Sequence, residues 1–463
     1  MFSLRNCRLA MISCIWILCL PLFTYSQKIY TSLAMLIDSA DHYLPSLMAK
    51  RALVNSASAN ITDTRHQFLP AFRFSDQVIL GTDNSIAGSY FPFGLIPSTS
   101  SGIRAANDFQ TASGNLAVLY GEYTLLDFGY RSASLDRAKS EVAFRSADFN
   151  RATYLVHAQI CKSYFNFLLS QARLEVERQT VRRYDTIFRM IRALTMSGLR
   201  PGSDSSLAKA ELSRSRISYN QIQEQAEQFR EELSYLTGIK AGQIIIDSAL
   251  MTSFYISKMG KFQIDSSANP LLDYYKFLRD DYLSREKLIG KSYLPRILLT
   301  ASAWARGSSI VYDDQYKDLS TGLGYARYNW LAGISFQYDL FNGLHRKDRL
   351  KSFGFERESS EQDLQQEVLN LSTANRQAEN SLEIAEKNLV EMPVEYKAAF
   401  DTYNQKLAQY KAGLIALIDL TNAAFVLDRS QNDYVETKGN WYQARLAKAI
   451  ATGNLAAYIN SIR

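Results

Sequence analysis

Cysteine is scarce in this sequence, and its scarcity excludes a fold stabilised by disulfides. The 463 residues include four cysteines, and Cys7, Cys14 and Cys19 all lie within the first 26 positions. If those positions are removed as a leader, only Cys161 remains. A single cysteine can form neither an intrachain disulfide nor a structural zinc site. The folded chain must therefore be stabilised by packing.

Residues 1–26 are expected to be a secretory signal peptide. They contain two arginines followed by an almost wholly apolar run from Leu9 to Phe23. A run of about 15 residues is too short to span a membrane and is typical of a leader. We expect cleavage after Ser26 and export of the remainder. A lipoprotein anchored at Cys14 or Cys19 is a weaker alternative, because neither follows a suitable run of small residues.

Long apolar runs, strong charge and catalytic motifs are also missing. After residue 26 the sequence contains no run of about 18 apolar residues, so no membrane helix is predicted. The formal net charge of +6 is too small to indicate a nucleic-acid partner. The four histidines are scattered without metal-ligand spacing, and no glycine-rich phosphate loop is present. His157 lies one helical turn before Cys161, but a packed cysteine is a better interpretation than a nucleophile. We therefore predict no metal, no cofactor and no enzymatic activity.

What the sequence does contain is an internal repeat. A Leu-Pro pair at Pro70 recurs at Pro295, and Gly198 recurs at Gly413 with a similar separation along the chain. Gly129 and Gly343, and then Gly238 and Gly453, follow in the same order. The chain is therefore interpreted as a tandem duplication. The predicted parts are a first repeat over 27–238, a linker over 239–266 and a second repeat over 267–463.

Each repeat begins with short helical segments, predicted near 31–64 and 267–290, and continues with two alternating stretches. In the second repeat, Trp330, Ile334 and Phe336 alternate with polar or small residues, as in strands that face lipid on one side. A soluble hairpin packed on a helix remains an alternative for any one pair. Four such strands cannot close a barrel, and an open edge cannot lie in lipid, so membrane strands would require several copies of the chain.

Long helices are predicted after Gly129 and Gly343. In the second repeat, apolar residues recur at steps of mostly three, four and seven from Leu364 to Tyr410. Such a helix would be on the order of 100 Å long, and Pro393 is expected to kink it or make it locally irregular. The pattern resumes after Gly413, which predicts an antiparallel helical hairpin. The apolar positions are Leu364, Val368, Leu371, Ala378, Leu382, Ala385, Leu389, Met392, Tyr396, Ala399, Tyr403, Leu407 and Tyr410.

Together these features resemble the TolC-like outer-membrane efflux proteins. The resemblance covers essentially the whole chain after the leader. It rests on the duplication, the Leu-Pro pairs before the first strands, "DFG" and "LFNG" before the long helices, and the "GL" tips. It implies an α+β membrane protein with long antiparallel helical hairpins. It also implies a homotrimer, in which four strands from each chain form one 12-stranded β-barrel in outer-membrane lipid, above a periplasmic helical tunnel.

The resemblance also implies which residues are functional. The adaptor-docking tips would be Ser197, Gly198 and Leu199 together with Ala412, Gly413 and Leu414. Tyr410, Asp419 and Asn422 match the entrance constriction, where Asn422 replaces a second aspartate of the family and Ile415 replaces an arginine. A trimer would then have one ring of three carboxylates instead of two rings. The alternative is that Asp419 only caps the returning helix, as Asp204 would in the first repeat.

The predicted function is a passive exit duct of an efflux or type I secretion system. It would receive cargo from a periplasmic adaptor and an inner-membrane pump, and would lie in the outer membrane of a Gram-negative bacterium. The alternative function is a secreted periplasmic coiled-coil scaffold or adhesin without a pore. An adaptor subunit fits less well, because it would not supply two lipid-type strand pairs.

Overall fold

The computed structural model describes residues 31–84, 105–246 and 269–462, so the expected signal peptide lies outside the described residues. The helices are α1 Leu33–Tyr43, α2 Pro45–His66, α3 Tyr130–Met196, α4 Gly202–Thr237, α5 Pro270–Ser292, α6 Asn342–Lys411, α7 Leu417–Ala451 and α8 Leu455–Asn460. The strands are β1 Ala71–Gly81, β2 Ala112–Leu126, β3 Arg296–Ser308, β4 Ile310–Val311, β5 Gln315–Tyr316 and β6 Arg327–Gln337.

Four strands form one antiparallel sheet in the order β1-β2-β3-β6. Residues directly opposite each other share a face, so Phe74, Leu119, Ala303 and Trp330 form one transverse row. The face that contains this row is apolar along most of its length, and we call it the apolar face. The opposite face carries Arg73, Gln77, Ser302, Arg306, Asn329 and Gln337. The predicted alternation is confirmed, and within one chain the sheet stays open at β1 and β6.

The long helices occur where the apolar periodicity predicts them. Helix α3 has 67 residues and α6 has 70. The Asp127 carboxylate accepts hydrogen bonds from the backbone N–H groups of Gly129 and Arg131, both at 3.0 Å, and so satisfies amides at the start of α3. Along α6 the predicted apolar positions are buried or half-buried, except Val368, which is exposed. Helix α6 continues through Pro393 without a break.

The chain divides into two compact units that each draw on both halves of the sequence. One contains the described residues 31–44, 155–246 and 374–462, and the other contains 45–84, 105–154 and 269–373. The first is helical, and a buried cluster of α3, α4, α6 and α7 side chains forms its core near the helical turns. The second contains the sheet. Across the described residues, no helix is both long enough and apolar enough to cross a membrane.

Candidate functional site

The two predicted tips have the same backbone geometry. Gly198 has φ +73° and Gly413 has φ +77°, and each follows the last turn of a long helix. The Gly198 N–H donates to the Thr195 carbonyl and the Leu199 N–H donates to the Leu194 carbonyl. The equivalent bonds after α6 run from Gly413 to Tyr410 and from Leu414 to Gln409. Both tips are therefore Schellman turns, in which glycine supplies the left-handed residue.

The tips expose apolar side chains to solvent. Leu199 is 70% exposed and Leu414 is 75% exposed, although both follow hydrogen-bonded helical turns. Ser197 and Ala412 are also exposed. Isolated exposed leucines are common on protein surfaces, but two at equivalent positions on neighbouring turns form a repeated feature.

Tyr410 links the two tips to each other. Its side chain is only 1% exposed, and the Arg200 guanidinium carbon lies 5.0 Å from the centre of its ring. Burial raises the pKa of the Tyr410 hydroxyl, and the Arg200 charge opposes that rise. The hydroxyl has no hydrogen-bond partner among the described residues. Arg200 belongs to the first tip, so a cation–π contact joins the tips, and sequence reasoning missed it.

Asp419 and Asn422 lie on the first turns of α7, and both are exposed. Asp419 is the third helical residue, and its carboxylate accepts a hydrogen bond of 3.3 Å from the Ala416 backbone N–H. This contact is the carboxylate half of a capping box, and it leaves the other carboxylate oxygen available to solvent cations. Asp204 occupies the same third position in α4. Ile415 is half-buried and packs against the apolar cluster.

A layer of buried polar contacts joins α3, α6 and α7 further along these helices from the tips. It consists of Thr180, Arg183, Tyr403 and Asp428. Arg183 on α3 forms an ion pair with Asp428 on α7, and both side chains are mostly buried. Thr180 donates a 2.9 Å hydrogen bond to Asp428, and the Arg183 guanidinium lies 5.3 Å from the centre of the Tyr403 ring. Burial raises the pKa of Asp428 to about 6, although Arg183 and Thr180 favour the charged form.

The sequence contains a signal that could have identified this layer. Arg183 precedes Gly198 by the same number of positions as Asp428 follows Gly413. Arg183 and Asp428 are equally far along the chain from their turns. The two opposite charges therefore come close together when the two helical hairpins pack side by side. A charged residue within an apolar stripe then requires a partner of opposite charge.

A metal site and a reactive cysteine are the two kinds of chemistry that the described residues allow to be checked. The described part of the chain contains no group of three or more histidine, cysteine or acidic side chains placed to hold a metal ion. Cys161 is buried, and burial raises the pKa of its thiol to about 12. His157 lies 2.7 Å from the Asp41 carboxylate, which holds it to the N-terminal helix α1. A thiol with so high a pKa is a poor nucleophile.

The family profile described as outer membrane efflux protein matches residues 36–239 and 269–454. The chain belongs to this family. The fold is shared with solved outer-membrane channels at low sequence identity. VceC from Vibrio cholerae has a TM-score of 0.72 and 15% identity, with 91% of this chain and 96% of that chain covered. No curated protein sequence matches the chain.

Two further channels have the same fold. CmeC from Campylobacter jejuni has a TM-score of 0.73 and 14% identity, over 91% of this chain and 85% of that chain. MtrE from Neisseria gonorrhoeae, solved in an open state, has a TM-score of 0.66 and 16% identity, over 93% and 89%. These identities are too low to transfer residue roles.

The protein is therefore an outer-membrane efflux duct that extends into the periplasm. Its fold is the TolC-like one, with long helical hairpins and four strands that one chain alone does not close into a barrel. Channels of this family are homotrimers that work with adaptor proteins and inner-membrane pumps. The scaffold or adhesin alternative has no support.

Proposed function

We propose that the two glycine turns are the surface that docks this duct's periplasmic adaptor, and through it the inner-membrane pump. The exposed leucines, Leu199 and Leu414, supply the apolar contacts, and Gly198 and Gly413 let the backbone turn without a side chain at the contact. The observation that carries this proposal is the repeated Schellman geometry at both tips. Ser197 and Ala412 complete the docking surface as small exposed residues beside the glycines.

The docking proposal can be tested by site-specific photo-cross-linking in cells. A photoreactive residue at Leu199 or Leu414 should capture one adaptor, which mass spectrometry would identify together with its pump. Tyr235 is the matched control, because it is exposed and lies near the opposite end of α4. Equal capture of the same protein from Tyr235 and the tips would contradict docking at the tips.

The proposed entrance constriction would lie beside the same turns. Asp419 and Asn422 lie one helical turn apart and exposed, so a trimer would bring three Asp419 carboxylates into one ring. Tyr410 does not line the entrance in this proposal, because it is buried beneath Arg200. It instead stabilises the second tip against the first. The Arg183–Asp428 pair supports the same hairpins further from the tips.

Cation block in planar bilayers tests the role of Asp419. Asp419→Asn removes three charges from a trimer, so block by divalent cations should weaken while the pore still forms. The control is Asp204→Asn, at the equivalent third position of α4. An unchanged current–voltage curve and cation response in Asp419→Asn would show that the carboxylate only caps α7.

A further inference from the structure

The loop between β3 and β6 folds back onto the apolar face of the sheet. The side-chain amide of Asn115 donates a 2.9 Å hydrogen bond to the Leu323 carbonyl, and the Ser113 hydroxyl donates to the Leu319 carbonyl. The Tyr325 hydroxyl donates a 2.8 Å hydrogen bond to the Asp76 carboxylate. The segment Leu319–Tyr325, which we call the returning segment, therefore contacts both β1 and β2.

The three strand residues that hold this segment are exceptions on their face of the sheet. The register places Asp76 between Phe74 and Val78, and places Asn115 opposite Val78 and Ser113 opposite Leu80. All three polar groups thus lie on the apolar face, at the end of the sheet away from the long helices. A polar group facing lipid is costly unless it is hydrogen-bonded. The returning segment provides one hydrogen bond to each of these three side chains.

Close packing shows that the contact is specific. A Cβ atom built on Gly322 would lie 2.1 Å from the Ser113 hydroxyl oxygen, and one built on Gly307 would lie 1.7 Å from the Gly324 carbonyl oxygen. No side chain fits at either position unless the backbone moves. Ser113 and Asn115 are both buried as a result.

The returning segment exposes two leucines, together with the small polar residues Ser320 and Thr321. Leu319 is 45% exposed and Leu323 is 49% exposed, while the backbone carbonyls of the same residues point to the sheet. A loop in water normally shows the opposite arrangement, with its polar groups outward. Val78 and Leu80, which lie opposite Asn115 and Ser113 in the register, are also exposed and belong to the apolar face.

We propose that the returning segment Leu319–Tyr325 is a lipid-contacting part of the barrel wall in the outer leaflet. It extends the apolar band of the strands over Asp76, Ser113 and Asn115, and it keeps those polar groups out of contact with lipid. The occupant of this surface is membrane lipid, because the surface is continuous with the strand face that lies in the membrane. Neither the duct activity nor the docking tips depend on this assignment.

Quenching of a site-specific fluorophore tests the proposal. In a Cys161→Ser background, a fluorophore is attached to Leu323→Cys, to Ala332→Cys on the apolar face, or to Ser302→Cys on the opposite face. Each trimer is reconstituted in phosphatidylcholine vesicles with or without brominated acyl chains, and iodide serves as the aqueous quencher. The label at Leu323 should be quenched by brominated lipid as strongly as the label at Ala332, and should resist iodide.

Two results would overturn the proposal. Iodide quenching at Leu323 as strong as at Ser302 would place the segment in water. Protection from both quenchers would place it against another copy of the chain. If brominated lipid also failed to quench the label at Ala332, the sheet itself would lie outside the membrane. That result would contradict the membrane location of the strands and not only the position of the returning segment.

A second variant tests the anchor. Asn115→Ala removes the hydrogen bond to the Leu323 carbonyl, so the label at Leu323 should lose lipid quenching and gain iodide quenching. Asn329→Ala, on the opposite face, should leave both unchanged. An Asn115→Ala trimer with unaltered quenching at Leu323 would refute anchoring by Asn115. If that variant fails to assemble, the first experiment still decides the location of the segment.

Discussion

Asp428 should make the stability of the helical unit depend on pH. Its carboxyl has an ordinary pKa of 3.8, which burial raises to about 6 in the folded protein. Between these values the folded chain binds a proton that the unfolded chain has released. The free energy of unfolding should therefore increase as the pH falls through this window, and decrease as the pH rises through it.

The size of the effect follows from the difference between the two pKa values. A shift of about two units corresponds to roughly 3 kcal/mol. The increase in the pKa of Asp428 caused by burial is larger than the decrease caused by Arg183 and Thr180. The negative charge of Glu177 raises the pKa further. Because the side chains of Asp428 and Arg183 are mostly buried, little of this difference is lost to solvent screening. Asp428→Asn keeps the shape of the side chain but does not titrate, so this contribution to the pH dependence of stability should be absent from the variant.

Hydrogen exchange measured by mass spectrometry provides the assay. Peptides from α3 and α7 around the pair should be compared in the wild type and in Asp428→Asn at each pH, so that intrinsic exchange chemistry cancels. Asp401→Asn, at an exposed position on α6, is the control and should follow the wild type. Parallel pH profiles for the wild type and Asp428→Asn would refute the argument.

Two further substitutions test the tips. Gly413→Ala meets no atom within 4 Å but must adopt φ +77°, at a cost of roughly 1–2 kcal/mol. Gly413→Ala should lower the yield of adaptor cross-linking, whereas the control Gly354→Ala, in open space within α6, should leave that yield unchanged. Equal cross-linking yields in the two variants would contradict a role for the turn. Arg200→Gln removes the cation over Tyr410, worth about 0.5–2 kcal/mol, and should lengthen open-channel dwell times in bilayers. The control is Arg192→Gln, at an exposed position on α3. Equal open-channel dwell times in Arg200→Gln and Arg192→Gln would count against the tip-to-tip contact.

The long helices could be predicted because their apolar periodicity reports burial directly. Ala378, Leu389 and Tyr403 are buried where the pattern places them. Val368 obeys the same pattern but remains exposed in one chain. Periodicity identifies the face that needs a partner, but it does not say whether the same chain supplies that partner. Helix α6 is continuous on both sides of Pro393, and a kink or local irregularity at that residue stays a prediction.

Contacts between distant segments could not be predicted in the same way. Arg200 and Tyr410 lie far apart in the sequence, and nothing local to either residue indicates the other. The returning segment Leu319–Tyr325 reads only as a polar loop, because its hydrogen bonds use backbone carbonyl groups that every residue has. Residues at equivalent positions of the two repeats also differ in conformation. Gly129 has φ +92°, whereas its equivalent Gly343 lies in the first turn of α6.

Single-channel recording of the purified wild-type trimer in planar bilayers tests the central claim most directly. An outer-membrane efflux duct with a constricted entrance should give discrete conductance steps, and divalent cations added on the side of the helical tips should reduce them. A trimer that inserts into the bilayer but conducts no ions under any applied voltage would contradict the account.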